Sequence, residues 1–442
     1  MDQVCHVPMT RNEPLIQSRA FLERLYHAAV AAAHPSHCLP QHLPAPPACG
    51  RIIILAAGKA AGSMAEIAER HYVDDIGVPP SRITGVAVTR HGYARPTRII
   101  RVVEAGHPVP DATGLAATLE ALALADTAGP DDLVLALISG GASANWIAPT
   151  ADLSLVEKQA LTKSLLACGA SITEINTVRK HLSRIKGGRL ATRAQPARLV
   201  TIAISDVPGD DPAVIGSGPT VPDPSTLADA RAILARYRLI GPGAVNSALA
   251  DPRNESPKPG NPLFANTTFV LAARPADVFN SVDAAVRAAG YDCVVLGTAL
   301  EGEARTVASE HARIALDLKA QGRRAVILSG GELTVTVRGK GRGGPNQEYA
   351  LALALALDGQ AGIAGLAGDT DGTDGGVGSP DDPAGAYVDH TTLQRARALG
   401  LDAATYLCDN NSTEFFASLD NLLRPGPTHT NVNDFRAILV DS

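Results

Sequence analysis

Three near-continuous apolar runs, RIIILAA (51–57), LVLALIS (133–139) and LVTIAIS (199–205), constrain the fold of this 442-residue chain more than any other feature. Strands that are apolar on both faces must be covered on both faces, which is the arrangement of a parallel sheet flanked by helices. Each run opens into an unusual loop: GKAAGSMAEIAERH, GGASANW and DVPGDD. Ligands of such sheets bind beyond the carboxyl ends of the strands, where these loops fall.

The chain is longer than a single core usually grows, so two domains are expected. Between residues 251 and 262 the stretch DPRNESPKPGNP loses all periodicity and reads as a linker. The reading assigns residues 1–256 to a Rossmann-like α/β domain and 263–442 to a smaller α/β domain. The second restarts with TTFVLAA and continues through a helix near Val278–Ala289, CVVLG, a helix near Ala304–Lys319, AVILSGG, LTVTV and a last strand, FRAILV. EYALALALAL alternates Leu with Ala, yet Ala favours helices and is depleted in strands, so it reads as a buried helix. Near the N-terminus, Phe21, Leu22, Leu25, Tyr26 and Ala29 share one face of a predicted helix over 15–33.

Charge narrows the function. A net charge of -6 argues against a nucleic-acid protein, whose affinity comes from Lys and Arg neutralising phosphates. No run of about eighteen apolar residues is present and the N-terminus lacks a signal-peptide core, so the expectation is a cytoplasmic protein that does not bind membranes. Six cysteines without a CxxC fit reduced thiols. The histidines and cysteines of HPSHCLPQHLPAPPACG match no zinc spacing and read as a surface loop.

Several loops could carry chemistry. Lys59 follows a strand and opens a helix, where amides and a positive helix end attract anions; the plainer reading is a solvated lysine. In SGGASANW, Gly140 and Gly141 allow a close backbone approach and Ser139 and Ser143 can donate to phosphate oxygens, unless the loop merely caps a helix. Asp206 stands at a strand end, suited to Mg²⁺ or to a proton from an attacking hydroxyl, while Asp210 and Asp211 read more as turn caps. Arg179, Lys180, His181, Arg184, Lys186 and Arg189 fall on a predicted helix ending at Gly187, where most are expected to be structural or solvated and one or two remain candidates to line the cleft. His107, in the rigid turn GHPVPD, reads as scaffold.

The densest feature is GRGGPNQE (341–348), preceded by LSGGELTVTVRGK and followed by GDTDGTDGG. SGGEL echoes SGGAS: either both loops bind phosphate, through Gly330, Gly331 and Glu332 here, or the echo is only a recurrent way of leaving a strand. Lys340 and Arg342 sit among glycines, and Arg342 can fork two hydrogen bonds to a carboxylate or phosphate. Asp369, Asp371 and Asp374 lack EF-hand spacing, which favours Mg²⁺ with phosphate over Ca²⁺.

Together AAGKAAGSMA, GHPVPD, LISGGASA, EINTVRKHLSRIKGGRLA, SDVPGDDPAVIGSGPTVPD, LSGGELTVTVRGKGRGGPNQE, GDTDGTDGG and PTHTNVNDF resemble the glycerate 2-kinases of the MOFRL type, whose members have often been labelled hydroxypyruvate reductases. The motifs run in family order over residues 51–435. The resemblance implies a two-domain enzyme with its active site in the intervening cleft. It would transfer the γ-phosphate of ATP to the 2-hydroxyl of D-glycerate with Mg²⁺, and leaves homo-oligomerisation open. The family's lysine falls on Lys59 and its arginine on Arg342, with Asp206 as the third expected catalytic residue. Asp206, Asp369 and Asp371 are the expected metal ligands; Ser139, Gly140, Gly141, Ser143, Gly330, Gly331, Glu332 and Lys340 are expected at the nucleotide. Pro345, Leu333, His429 and the segment GVGSPDDPAGA depart from the family pattern. The rivals are an NAD(P)H-dependent hydroxypyruvate reductase, disfavoured because no GxGxxG opens a helix after a strand, and a non-catalytic sensor of small phosphorylated acids.

Overall fold

The computed structural model describes residues 13–150, 153–239, 243–376 and 379–441. It divides into two bodies: Ala33–Arg274 with His429–Val432, and Pro275–Thr428 with Asn433 onward and the N-terminal stretch to Ala32.

The first body is built on six parallel strands: β1 (Ile52–Ala57), β2 (Ile83–Arg90), β3 (Arg101–Ala105), β4 (Leu133–Ile138), β5 (Arg198–Ile204) and β6 (Thr267–Ala273). Their order is β3-β2-β1-β4-β5-β6, the doubly wound arrangement whose direction of winding reverses between β1 and β4. Every residue of β1 and β4 is buried, as their apolar runs require. Ile53, Leu55, Val134 and Ala136 belong to one core cluster with residues of the helix Ala112–Asp126.

Two sequence expectations change here. TTFVLAA, read as the start of a second domain, is β6, paired in parallel with β5. The preceding stretch DPRNESPKPGNP has a linker's composition but is folded onto the first body: Glu255 accepts from His181 and Lys258, and short turns span Pro252–Asn254 and Pro262–Asn266. The N-terminal helix, Glu13–Ala33, forms as the apolar spacing predicts, but up to Ala32 it belongs to the second body. There Tyr26 donates its hydroxyl to the Asp369 carbonyl and packs on Phe435.

The second body holds a mixed sheet of β7 (Asp292–Gly297), β8 (Ala325–Gly331), β9 (Ile363–Asp369), β10 (Gly385–Asp389), β11 (Leu422–Leu423) and β12 (Asp434–Val440), in the order β11-β10-β9-β12-β8-β7. FRAILV is a strand as expected, inserted antiparallel between β8 and β9. LTVTV is not: only Thr334 makes a bridge, with Glu303, and Val337 is exposed. Its alternation lacks a partner strand, and alternation alone does not build a sheet. EYALALALAL lies in the helix Pro345–Leu357, packed against the helix Ala304–Ala320 and against β9 and β10. Leu351 and Leu353 are fully enclosed. Replacing Leu351 with Ala should cost about 2–5 kcal/mol through the cavity left behind, lowering the urea midpoint; an unchanged midpoint would show that this helix is not part of the core.

Candidate functional site

The loops after β1 and β4 meet where the winding reverses. The Lys59 amide donates to the Gly140 carbonyl (2.8 Å), and the Ala60 amide donates to the Ser139 hydroxyl oxygen (2.9 Å). Gly140 has no room for a side chain: a Cβ would lie 2.0 Å from both Asp206 Oδ2 and Asn431 Nδ2. Those two atoms are themselves hydrogen-bonded, Asn431 donating at 2.7 Å. Across Gly141 stand the His107 ring and the Lys59 stem, 2.9 and 3.3 Å from where its Cβ would be. The structure therefore gathers Lys59, His107, Gly140, Gly141, Asp206 and Asn431 around one loop.

The two serines have structural partners. Ser139 is fully buried on the Ala60 amide, and Ser143 Oγ lies 2.6 Å from Ser217 Oγ. Ser217 belongs to the GSGP turn, whose Ser217 and Gly218 carbonyls accept the Gly187 and Gly188 amides. Asp211 caps its own turn by accepting from the Ala213 amide, as expected.

In the basic segment 179–189 the helix is shorter than expected. The helix Ile172–His181, started by a Ser171–Glu174 capping box, ends six residues before Gly187. Lys180, His181 and Lys186 are buried, the structural outcome of the two expected. Arg179 and Lys186 both donate to the Ser143 carbonyl, at 3.1 and 2.8 Å. Burial, with Arg179 and Lys158 nearby, pushes the Lys186 amine well below its ordinary range.

In the second body the GKGRGG loop is laid against the segment Asp409–Ser412. Asp409 accepts from the Lys340 amide, Asn410 from the Arg338 and Gly339 amides, and Asn411 from the Arg342 amide. A Cβ on Gly339 or Gly341 would fall within about 2.5 Å of that backbone, so the glycines have a packing role that the sequence did not disclose. Arg342 is exposed and bonds Glu414, which holds its guanidinium firmly charged. Lys340 and Glu332 are exposed.

The echo between SGGAS and SGGEL is limited. Ser139 leaves its strand, whereas Ser329, Gly330 and Gly331 are the last residues of β8, and the Gly330 and Gly331 carbonyls accept from the fully buried Arg436 (2.8 and 3.1 Å). Beside them lies a buried polar network. Asp374 accepts from the Asn346 and Gln347 amides at the start of the helix Pro345–Leu357, and Asn346 Nδ2 donates to Asp434 (2.6 Å), which pairs with Arg436. Asp369 and Asp371 each accept an amide within their own turn, from Asp371 and Thr373. Among the described residues no three His, Cys, Asp or Glu side chains converge as a metal cage.

Sequence reasoning missed Asn431, the Asp409–Asn411 run, Asn346 and Arg436. Two of these carried a signal: Asn431 lies in PTHTNVNDF and Asn346 in GRGGPNQE, both of them motifs already singled out.

The sheet order defines a doubly wound α/β protein with a glycine-lined loop at its reversal point. Residues 21–250 match a domain of unknown function, DUF4147, and residues 325–434 match the MOFRL family. A protein of Agrobacterium vitis with the provisional name hydroxypyruvate reductase is 46% identical, covering 98% of this chain and 96% of its own. The D-glycerate 2-kinase of Thermotoga maritima is 39% identical over 87% of this chain and 89% of its own. The crystal structure of glycerate kinase from Thermotoga maritima superposes with a TM-score of 0.84 at 37% identity, covering 96% of this chain and all of that one. The chain belongs to the glycerate 2-kinase family of the MOFRL type.

Burial, reinforced by nearby Asp434, pushes the Asp374 carboxyl up to about 7 from 3.8, against the pull of the Asn346 and Gln347 amides. Between about pH 4 and 7 the folded protein keeps a proton that the unfolded chain has lost, so this group's contribution to stability falls as pH rises through that window. Urea unfolding of Asp374→Asn should show a flatter decline between pH 5 and 8 than the wild type. An identical pH slope would remove Asp374 as the cause.

Proposed function

We propose that this protein transfers the γ-phosphate of ATP to the 2-hydroxyl of D-glycerate, giving 2-phosphoglycerate and ADP. The observation that carries the reading is the gathering of Lys59, Asp206 and Asn431 about Gly140 at the reversal point of the sheet. The kinases among its relatives support it. The reductase name given to other relatives has less support, because the loop after β1 is GKAAG and lacks the glycine fingerprint of a dinucleotide site.

Phosphoryl transfer asks the protein mainly for positioning and charge neutralisation. In this reading Lys59 and the Ser139–Ser143 loop hold anionic oxygens. Asn431 orients the Asp206 carboxylate by donating to it, and that carboxylate is the group offered to Mg²⁺ or to the proton of the attacking hydroxyl. In the same reading the exposed Arg342 exchanges Glu414 for the substrate carboxylate or a phosphate, and Lys340 and Glu332 are the further nucleotide candidates of that loop region.

The residues fit a Mg²⁺ ion carried with the nucleotide, which needs only one or two carboxylates because phosphates and waters complete its shell. Asp206 stands beside a cradle that any Cβ on Gly140 would fill. Asp369 and Asp371 accept amides within their own turns, and Asp206 accepts from Asn431 at the Gly140 loop. When bound, the ion would neutralise charge on the phosphates.

A coupled assay tests this directly: ADP release with D-glycerate, L-glycerate, hydroxypyruvate or glycerol, with and without Mg²⁺, beside NADH oxidation with hydroxypyruvate. D-Glycerate and Mg²⁺ should both be needed for ADP release; NADH oxidation without ADP release would overturn the reading. Lys59→Ala and Arg342→Ala should each lower kcat/KM at least about a hundredfold, the scale of one lost transition-state charge donor. Near-normal turnover in either variant would remove that residue from the mechanism.

A further inference from the structure

The helix Leu155–Ala167, started by a Ser154–Glu157 capping box, turns one face toward a cavity of about 730 Å³ in the first body. Leu155, Gln159, Thr162 and Leu166 recur on that face at helical spacing. Facing them are Ile147, directly after the SGGASANW loop, and Pro108 and Val109 of the GHPVPD turn. Nine large apolar side chains are exposed among the described residues, and three of them, Val109, Val156 and Leu166, line this one cavity. Apolar exposure concentrated in a concave site marks a ligand surface rather than ordinary surface scatter.

One part of the wall is basic. Lys158 and Arg179 line the cavity, and Lys186 lies behind them with Arg179 on the shared Ser143 carbonyl. Lys158 is 3% exposed and Lys186 is wholly enclosed. Lys158 donates to the Leu182 carbonyl (2.7 Å), and none of the three cations forms an ion pair with a carboxylate among the described residues. Cations packed together without an acid are costly in a low-dielectric interior, and an incoming anion offsets that cost. The amines of Lys158 and Lys186 are both pushed down by burial and by the neighbouring Arg179, so an arriving phosphate also favours their protonation.

We infer that this cavity seats the nucleotide, with its base against the apolar wall of Val109, Ile147, Leu155 and Leu166 and its phosphates toward Arg179 and Lys158. A ligand with a flat apolar body and a polyanionic end matches both halves of the wall, which a small hydroxy acid does not. Through Arg179 and the Ser143 carbonyl, the seat is joined to the loop that carries Gly140 and Gly141. The inference rests on the kinase reading for the identity of the ligand alone.

Calorimetric titration of ADP into the full-length protein tests it, using Leu166→Glu, Arg179→Gln and a control, Leu399→Glu, in the other body. Leu166 is 62% exposed, so its replacement leaves the core intact. Arg179→Gln should weaken ADP binding at least about tenfold, the scale of one lost charge-assisted hydrogen bond, Leu166→Glu should weaken it to a similar extent by setting a carboxylate against the apolar body and the phosphates, and the control should not. Wild-type affinity in both variants would overturn the nucleotide seat while leaving the kinase reading standing. Loss of 2-phosphoglycerate binding with ADP binding retained would assign the cavity to the acid and equally overturn it. Wild-type protein that binds no ADP would instead sink the kinase reading.

Discussion

Two hydrogen bonds at the reversal point of the first sheet hold the candidate site in shape: the Lys59 amide on the Gly140 carbonyl and the Ala60 amide on the Ser139 hydroxyl. They tie the loop after β1 to the loop after β4, the neighbouring strands between which the winding changes direction. Because β1 and β4 are buried along their whole length, the loops leave from a rigid base. Gly140 then permits Asp206 and Asn431 to come closer than any side chain would allow. Asn431 belongs to the short segment His429–Val432 that, among the described residues, returns from the far end of the chain to the first body. Its hydrogen bond to Asp206 gives that return a chemical purpose.

The second body meets a different constraint, that of ordering the irregular, glycine-rich loop that carries Arg342. A loop with so many glycines would be expensive to order by itself. Asp409, Asn410 and Asn411 meet that cost by accepting four amides of the loop, at Arg338, Gly339, Lys340 and Arg342. Asn410 is fixed in turn by donating to Glu348, which also pairs with Arg305. The exposed guanidinium of Arg342 thus stands on an ordered backbone while its own partner, Glu414, remains exchangeable at the surface.

Much of this was legible in the sequence, for reasons that differ by element. Apolar runs buried on both faces announced β1, β4 and β5, and glycine after a strand announced the loops of Lys59 and Ser139. The composition of residues 251–262 misled because proline and glycine mark an irregular path, which need not be an interdomain one; contacts such as Glu255 with His181 decide that. LTVTV misled because alternation records which side of a ribbon is apolar, whereas a strand exists only with a hydrogen-bonded neighbour. The buried state of Lys186 was hidden because charge predicts exposure unless carbonyls such as that of Ser143 supply partners inside.

In the kinase account the protein supplies charge and position around a phosphate, and the sheet's reversal point is where the acid's hydroxyl meets it. Incubating the purified protein with ATP, Mg²⁺ and D-glycerate and following the products by ³¹P NMR tests this most directly. The account predicts loss of the γ-phosphate signal with growth of a single phosphomonoester, that of 2-phosphoglycerate. ATP left intact, or phosphate released without a phosphoglycerate, would contradict it.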